Sequence, residues 1–235
     1  MSFIEKNLVH KGELLKGAFF PAHSKQGPVV ILGHAWGGQD DFIFAKAQQF
    51  NEIGLHAYAW DLYGDRRHGK NKEENSSLMG RFMEDRKFLR QRLLSILDDV
   101  KQFSEVDKNK VAAIGFCFGG LCVLDLARAG ADICGVVSFH GLLGRPQISE
   151  EKVKAKVLAL HGYDDPMATP PHLNEFCDEM TALKVDWQVH VFGNTMHAFT
   201  NPEAHDASFG TVYNQISDQR SWKLANNFLT EVFGS

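Results

Sequence analysis

The sequence predicts an α/β fold in three layers. A mostly parallel, doubly wound sheet is covered by helices on both faces and led in by antiparallel strands at the N-terminus. Three observations predict it. Six short runs are apolar almost throughout, as strands buried on both faces require. Segments with helical spacing separate them, and that alternation implies right-handed βαβ crossovers. Reactive polar residues follow directly after the runs, where an open α/β sheet binds its ligands.

The elements follow in order. The first 25 residues read as one or two antiparallel strands. The apolar runs lie at 28–33, 55–60, 111–116, 135–139, 157–160 and 187–192. A helix over 42–53 carries Phe42, Ala45, Phe50 and Ile53, with Asp40 or Asp41 as N-cap and Gly54 past its end. One long helix is expected over 79–103, where apolar residues mix with dense charge. Another runs from Phe118 to Ala129 and closes on Gly130; a further one begins after Pro170 and Pro171; the last spans about 218–233. No repeat or linker interrupts the chain, so residues 1–235 are expected to form one domain.

Composition narrows the function. Twenty-five basic against 29 acidic residues leave a net charge of −4, with no basic excess to neutralise phosphates, so nucleic acid is not an expected partner. The start lacks the pattern of a signal peptide, and no apolar run approaches bilayer length. A cytoplasmic protein, monomeric or weakly self-associating and away from membranes, is expected. Cys117, Cys122, Cys134 and Cys177 make no metal or C-x-x-C spacing, and three of them read as small buried hydrophobes.

The fourth, Cys117, sits in Gly115-Phe116-Cys117-Phe118-Gly119-Gly120, between an apolar strand and a helix. That G-x-C-x-G spacing marks a sharp strand-to-helix turn that exposes its middle residue at the positive end of the helix. A thiol there ionises more readily. A phosphate-binding turn would instead need G-K-[ST] or G-x-G-x-x-G. A cysteine nucleophile needs a base, and the base an orienting acid. The acid is expected in Gly162-Tyr163-Asp164-Asp165-Pro166, with Asp165 favoured over Asp164, and the base is His197 in the loop after the last strand. His140 follows a strand end and is a candidate pocket residue, whereas His56, His161 and His190 read as structural. Oxyanion donors are expected from the backbone of Phe118 and of Ala35, in the glycine-bearing loop after the first central strand. Trp36 and Phe199 are candidate walls of an apolar acyl pocket.

Together with Asp61-Leu62-Tyr63-Gly64, the stretch His161 to Pro166 and Met196 to Pro202, these motifs resemble the dienelactone hydrolase family of α/β hydrolases, over nearly the whole chain. The resemblance implies an α/β-hydrolase fold, a Cys117–His197–Asp165 triad, and hydrolysis of a carboxylic ester or lactone with neither metal nor organic cofactor. It also implies two departures. Relatives that open dienelactone carry a glutamate where His34 stands and a carboxylate-binding arginine where Asn201 stands, so both positions are candidate substrate-binding residues. The arginines at 66, 67, 81, 86, 90 and 92 read mostly as a solvated face. A rival role for an exposed, acidic thiol is oxidant sensing without catalysis, for which Cys122 is a poorly matched resolving partner.

Overall fold

Each apolar run becomes a strand of one eight-stranded sheet in the computed structural model, which describes residues 3–148 and 151–234. In chain order the elements are β1 (Ile4–His10), β2 (Glu13–Phe20), β3 (Gly27–Gly33), α1 (Asp41–Glu52), β4 (His56–Ala59), α2 (Lys72–Glu84), α3 (Arg86–Val100), β5 (Val106–Phe116) and α4 (Phe118–Arg128). They continue as β6 (Gly135–Phe139), β7 (Lys156–Gly162), α5 (Pro170–Ala182), β8 (Trp187–Phe192), β9 (His205–Asp206), β10 (Thr211–Val212) and α6 (Gln215–Phe233). The sheet order is β1-β2-β4-β3-β5-β6-β7-β8, with β1 and β2 antiparallel and β4 through β8 parallel.

Strand periodicity sorts the core into two layers. Val30, Leu32, Ala112 and Ile114 meet Ile43 and Phe50 of α1 and Phe228 and Leu229 of α6. Val29, Ile31, Val111 and Ala113 meet the other face, where Leu89, Leu93 and Ile96 of α3 pack with Leu121 and Leu124 of α4 and Phe176 of α5. The chain order reverses between β3 and β5, which opens a crevice beyond their C-terminal ends. The site lies there.

The expected long helix is two helices. Asp85 has a non-helical backbone (φ −122°, ψ 76°), and its carboxylate accepts the Phe88 N–H, capping α3. An aspartate that can satisfy a free amide in this way ends one helix and begins the next. Asn71 caps α2 through the Glu74 N–H, so that helix begins seven residues upstream of the expected start, and Asn214 caps α6 through the Ser217 N–H. The short β9–β10 pair was not expected. Cys122 is buried as anticipated, but Cys134 and Cys177 are only half-buried, and all four cysteines are free. Arg92 is fully buried rather than solvated, held by Glu13, His10 and the Leu62 carbonyl. Among the described residues no helix is long and apolar enough to cross a membrane.

Candidate active site

The strand β5 ends at Phe116 and α4 begins at Phe118, so Cys117 alone makes the turn. It does so at φ 56° and ψ −117°, a region that residues with a side chain rarely adopt. The flanking glycines are dictated by contact: a Cβ on Gly115 would overlap the Gly119 carbonyl, and one on Gly119 would overlap that of Gly33. The Cys117 N–H donates to the Phe139 carbonyl (3.0 Å) and to His140 Nδ1 (3.2 Å). Because Nδ1 accepts, His140 Nε2 carries the proton and donates to the buried Thr200 Oγ1 at 2.8 Å. Burial, reinforced by the charge on His197, pushes the His140 pKa well down and keeps the ring neutral.

His197 Nδ1 lies 2.7 Å from Asp165 Oδ2, both side chains being buried. Asp165 Oδ1 accepts the Met167 and Ala168 amides at 2.8 and 3.3 Å, which aims its other oxygen at the imidazole. Asp164 is exposed and faces a separate surface depression with Asn194 and Asn214. His197 Nε2 is buried without a hydrogen-bond partner, and Cys117 is the neighbour whose charge does most to raise the ring's pKa. Burial alone would push the Cys117 thiol up; the charge on His197, aided by the Phe118 and Trp36 backbone amides, outweighs it and lowers the pKa. Burial likewise opposes the charge on His197, yet Cys117 and Asp165 together raise its pKa to about 10. Each shift favours the charged form of its group, thiolate on Cys117 and imidazolium on His197.

The loop after β3 brings both Ala35 and Trp36 to the cavity wall. The Trp36 amide is among the groups that favour the Cys117 thiolate. The Ala35 carbonyl, at the other end of the same peptide, accepts from His34 Nδ1 (2.7 Å) and the Gly38 N–H (3.2 Å). Two expected substrate residues do not reach the cavity. His34 is 1% exposed, and its Nε2 is taken by the Leu62 N–H at 3.3 Å. Phe199 is wholly buried in the α6-side core against Phe192 and His140. An aromatic next to the base thus supports the loop from behind.

A cavity of about 510 Å³ opens over Cys117 and His197. Trp36, Phe42, Met79, Phe116, Leu142 and Phe209 form its apolar wall, with Trp36 stacked on Phe209 at 5.6 Å. Asn201 lines it as anticipated, and so does His140. Asp40, Glu203 and Asp206 also line it, whereas Lys72 is the one lysine or arginine among the described residues that does. Lys72 Nζ is paired with Asp206 at 2.9 Å and sits over the Phe209 ring. The arginines of α2, α3 and the preceding loop are committed elsewhere: Arg66 to Glu5 and Gln39, Arg67 to the Tyr63 carbonyl, Arg81 and Arg92 to Glu13, Arg86 to Asp125, and Arg90 to the Arg128 carbonyl. Asp206 and Phe209 escaped sequence reasoning because nothing periodic marks the 201–212 loop, and Lys72 because it lies upstream of the expected helix. Among the described residues no three His, Cys, Asp or Glu side chains cluster as a metal ion would need.

Comparison with known proteins gives the family of the chain. The profile of the Dienelactone hydrolase family matches residues 16–233. A solved dienelactone hydrolase-like promiscuous phosphotriesterase from metagenomic libraries superposes with a TM-score of 0.93 at 33% identity, covering 98% of each chain. An uncharacterised Caenorhabditis elegans protein is 38% identical over 152 residues, 62% of this chain and 94% of its own. A protein of Aquifex aeolicus with the provisional name carboxymethylenebutenolidase is 26% identical over 207 residues, covering 86% of this chain and 87% of its own.

Proposed function

The chain belongs to the dienelactone hydrolase family and is a hydrolase, and from that premise we propose that it cleaves uncharged carboxylic esters or lactones through Cys117, His197 and Asp165. The observation that carries this reading is the buried line from Asp165 through His197 to the sulfur, held at 2.7 Å at its acid end. We read residues 1–235 as one domain built around that line.

The cycle balances with the groups at hand and water. The Cys117 thiolate adds to the carbonyl carbon, and the carbonyl electrons move onto oxygen between the Phe118 and Trp36 amides. Such a donor typically lowers the barrier by about 2.7–4 kcal/mol. The C–O bond then breaks, and His197 Nε2–H gives its proton to the departing alkoxide, leaving an S-acyl enzyme. Water, losing its proton to His197, attacks the thioester, and the C–S bond breaks to release acid and thiolate.

Charge sets the expected substrate. Lys72 is neutralised by Asp206, Asp40 and Glu203 add negative charge, and Asn201 is neutral. A carboxylate-bearing lactone would forgo a charge-assisted hydrogen bond worth about 1.5–3 kcal/mol, one to two decades in rate. At pH 8, kcat/KM for a neutral short-chain ester is therefore expected to exceed that for a carboxylate-bearing ester of equal acyl size by about tenfold or more. Asp206→Asn, which frees Lys72, narrows that ratio; a wild-type preference for the anion contradicts the assignment. The same lack of a free cation favours a second reading, attack on neutral phosphotriesters, the class named for the metagenomic relative.

Alkylation tests the nucleophile. Iodoacetamide is expected to label Cys117 at pH 7 far ahead of Cys122 and Cys177, whose thiols burial pushes up, with hydrolysis lost in step. As pH rises, the thiolate persists but the imidazolium proton is lost near 10. Ester turnover then falls on the alkaline side while alkylation does not. Equal labelling of the cysteines, or turnover that survives full Cys117 modification, refutes the reading.

A further inference from the structure

We propose that His34, though it touches no substrate, sets the oxyanion hole: its Nδ1–H holds the Ala35 carbonyl, and so points the Trp36 N–H of the same peptide at the reacting centre. The inference rests on Cys117 being the nucleophile. A peptide unit is planar, and its C=O and N–H point in opposite directions. Pinning the oxygen therefore aims the amide. His34 Nδ1 lies 2.7 Å from that oxygen, and the Gly38 N–H reaches it at 3.2 Å.

The pin is itself held. Leu62 N–H donates to His34 Nε2 at 3.3 Å, which leaves the ring proton on Nδ1. The ring packs edge-on to Tyr63 at 4.8 Å, and the Tyr63 hydroxyl donates to the Trp36 carbonyl at 2.7 Å, holding the next peptide. Without these contacts the loop has freedom to turn, since Gly37 and Gly38 follow, the latter at φ +100°. A turned Ala35–Trp36 peptide would present its carbonyl oxygen to the thiolate in place of a donor. Burial, joined by the nearby His68, lowers the ring's pKa against the opposing pull of the Ala35 hydrogen bond, Asp61 and Asp40, which favours a neutral ring with Nε2 free to accept from Leu62.

The test separates oxyanion stabilisation from thiolate reactivity. Alkylation by iodoacetamide displaces iodide and develops no oxyanion, whereas ester attack does. His34→Phe and His34→Gln are expected to lower kcat for a neutral aryl ester by about 10²-fold or more, with KM within a few-fold of wild type and the Cys117 alkylation rate at pH 8 falling at least tenfold less than kcat. His34→Asn, whose amide nitrogen can take the place of Nδ1, is expected to recover most of kcat. If the phenylalanine variant does not fold, His34→Gln against His34→Asn makes the same comparison. Near-wild-type kcat in His34→Gln, kcat and alkylation falling by the same factor in a folded variant, or an asparagine variant no better than the glutamine one would overturn the proposal. Cys117→Ala run alongside separates the two claims: turnover surviving there defeats the nucleophile assignment, whereas its loss beside an unaffected His34→Gln defeats only the role of His34.

Discussion

Cys117→Ala is expected to lower kcat for a neutral aryl ester by about 10⁴-fold or more, as removal of a nucleophile that works as a unit with its base does. The substitution deletes only Sγ, which lies on the cavity floor, so no enclosed void is left and thermal stability should change little. The turn at φ 56° remains, as do the Cys117 N–H bonds to Phe139 and His140. His197 loses its thiolate neighbour, and its pKa is expected to fall from about 10 as burial gains the upper hand. Steady-state hydrolysis and a histidine titration by NMR check both outcomes. Retained turnover with a folded protein would place the nucleophile elsewhere.

Asp165→Asn comes next in size. Replacing the acid of a serine triad with its amide costs about 10⁴-fold; a thiolate, which ionises more readily than a hydroxyl, relies less on its base, and about 10³-fold is expected here. Two effects combine. The amide can donate to His197 Nδ1 and force the proton onto Nε2, which then cannot take one from water. The imidazolium also loses its counter-charge, so the His197 pKa falls and the Cys117 pKa rises. The alkylation profile of this variant should therefore move to higher pH. Asp164→Asn, at an exposed position facing other residues, is expected to stay close to wild type. The reverse ranking would assign the acid to Asp164.

What could be read from the sequence is what local sterics dictate. Gly115 and Gly119 are required by backbone contacts, so G-x-C-x-G announces the turn at Cys117 before any coordinates do. Strand ends carry Cys117, Asp165 and His197 to one edge of the sheet because parallel strands end together. Orientation was less legible. Whether Ala35 or Trp36 turns its amide to the sulfur depends on which peptide His34 pins, and residue identity does not encode that. His34 and Phe199 stand beside reactive groups in sequence, yet packing turns both rings inward. The break at Asp85 follows from competition between an aspartate side chain and the helix, which the charge-rich pattern around it hides. Lys72 and Asp206 meet across 134 residues, beyond the reach of any motif.

The S-acyl intermediate can be observed directly. Mixing the protein with a slowly turned-over neutral aryl ester, quenching in acid within the first turnover and mapping peptides by mass spectrometry should show the acyl mass on Cys117. That adduct should be labile to hydroxylamine and absent from Cys117→Ala. An acyl group on another residue, or burst kinetics that persist in the alanine variant, would contradict the account.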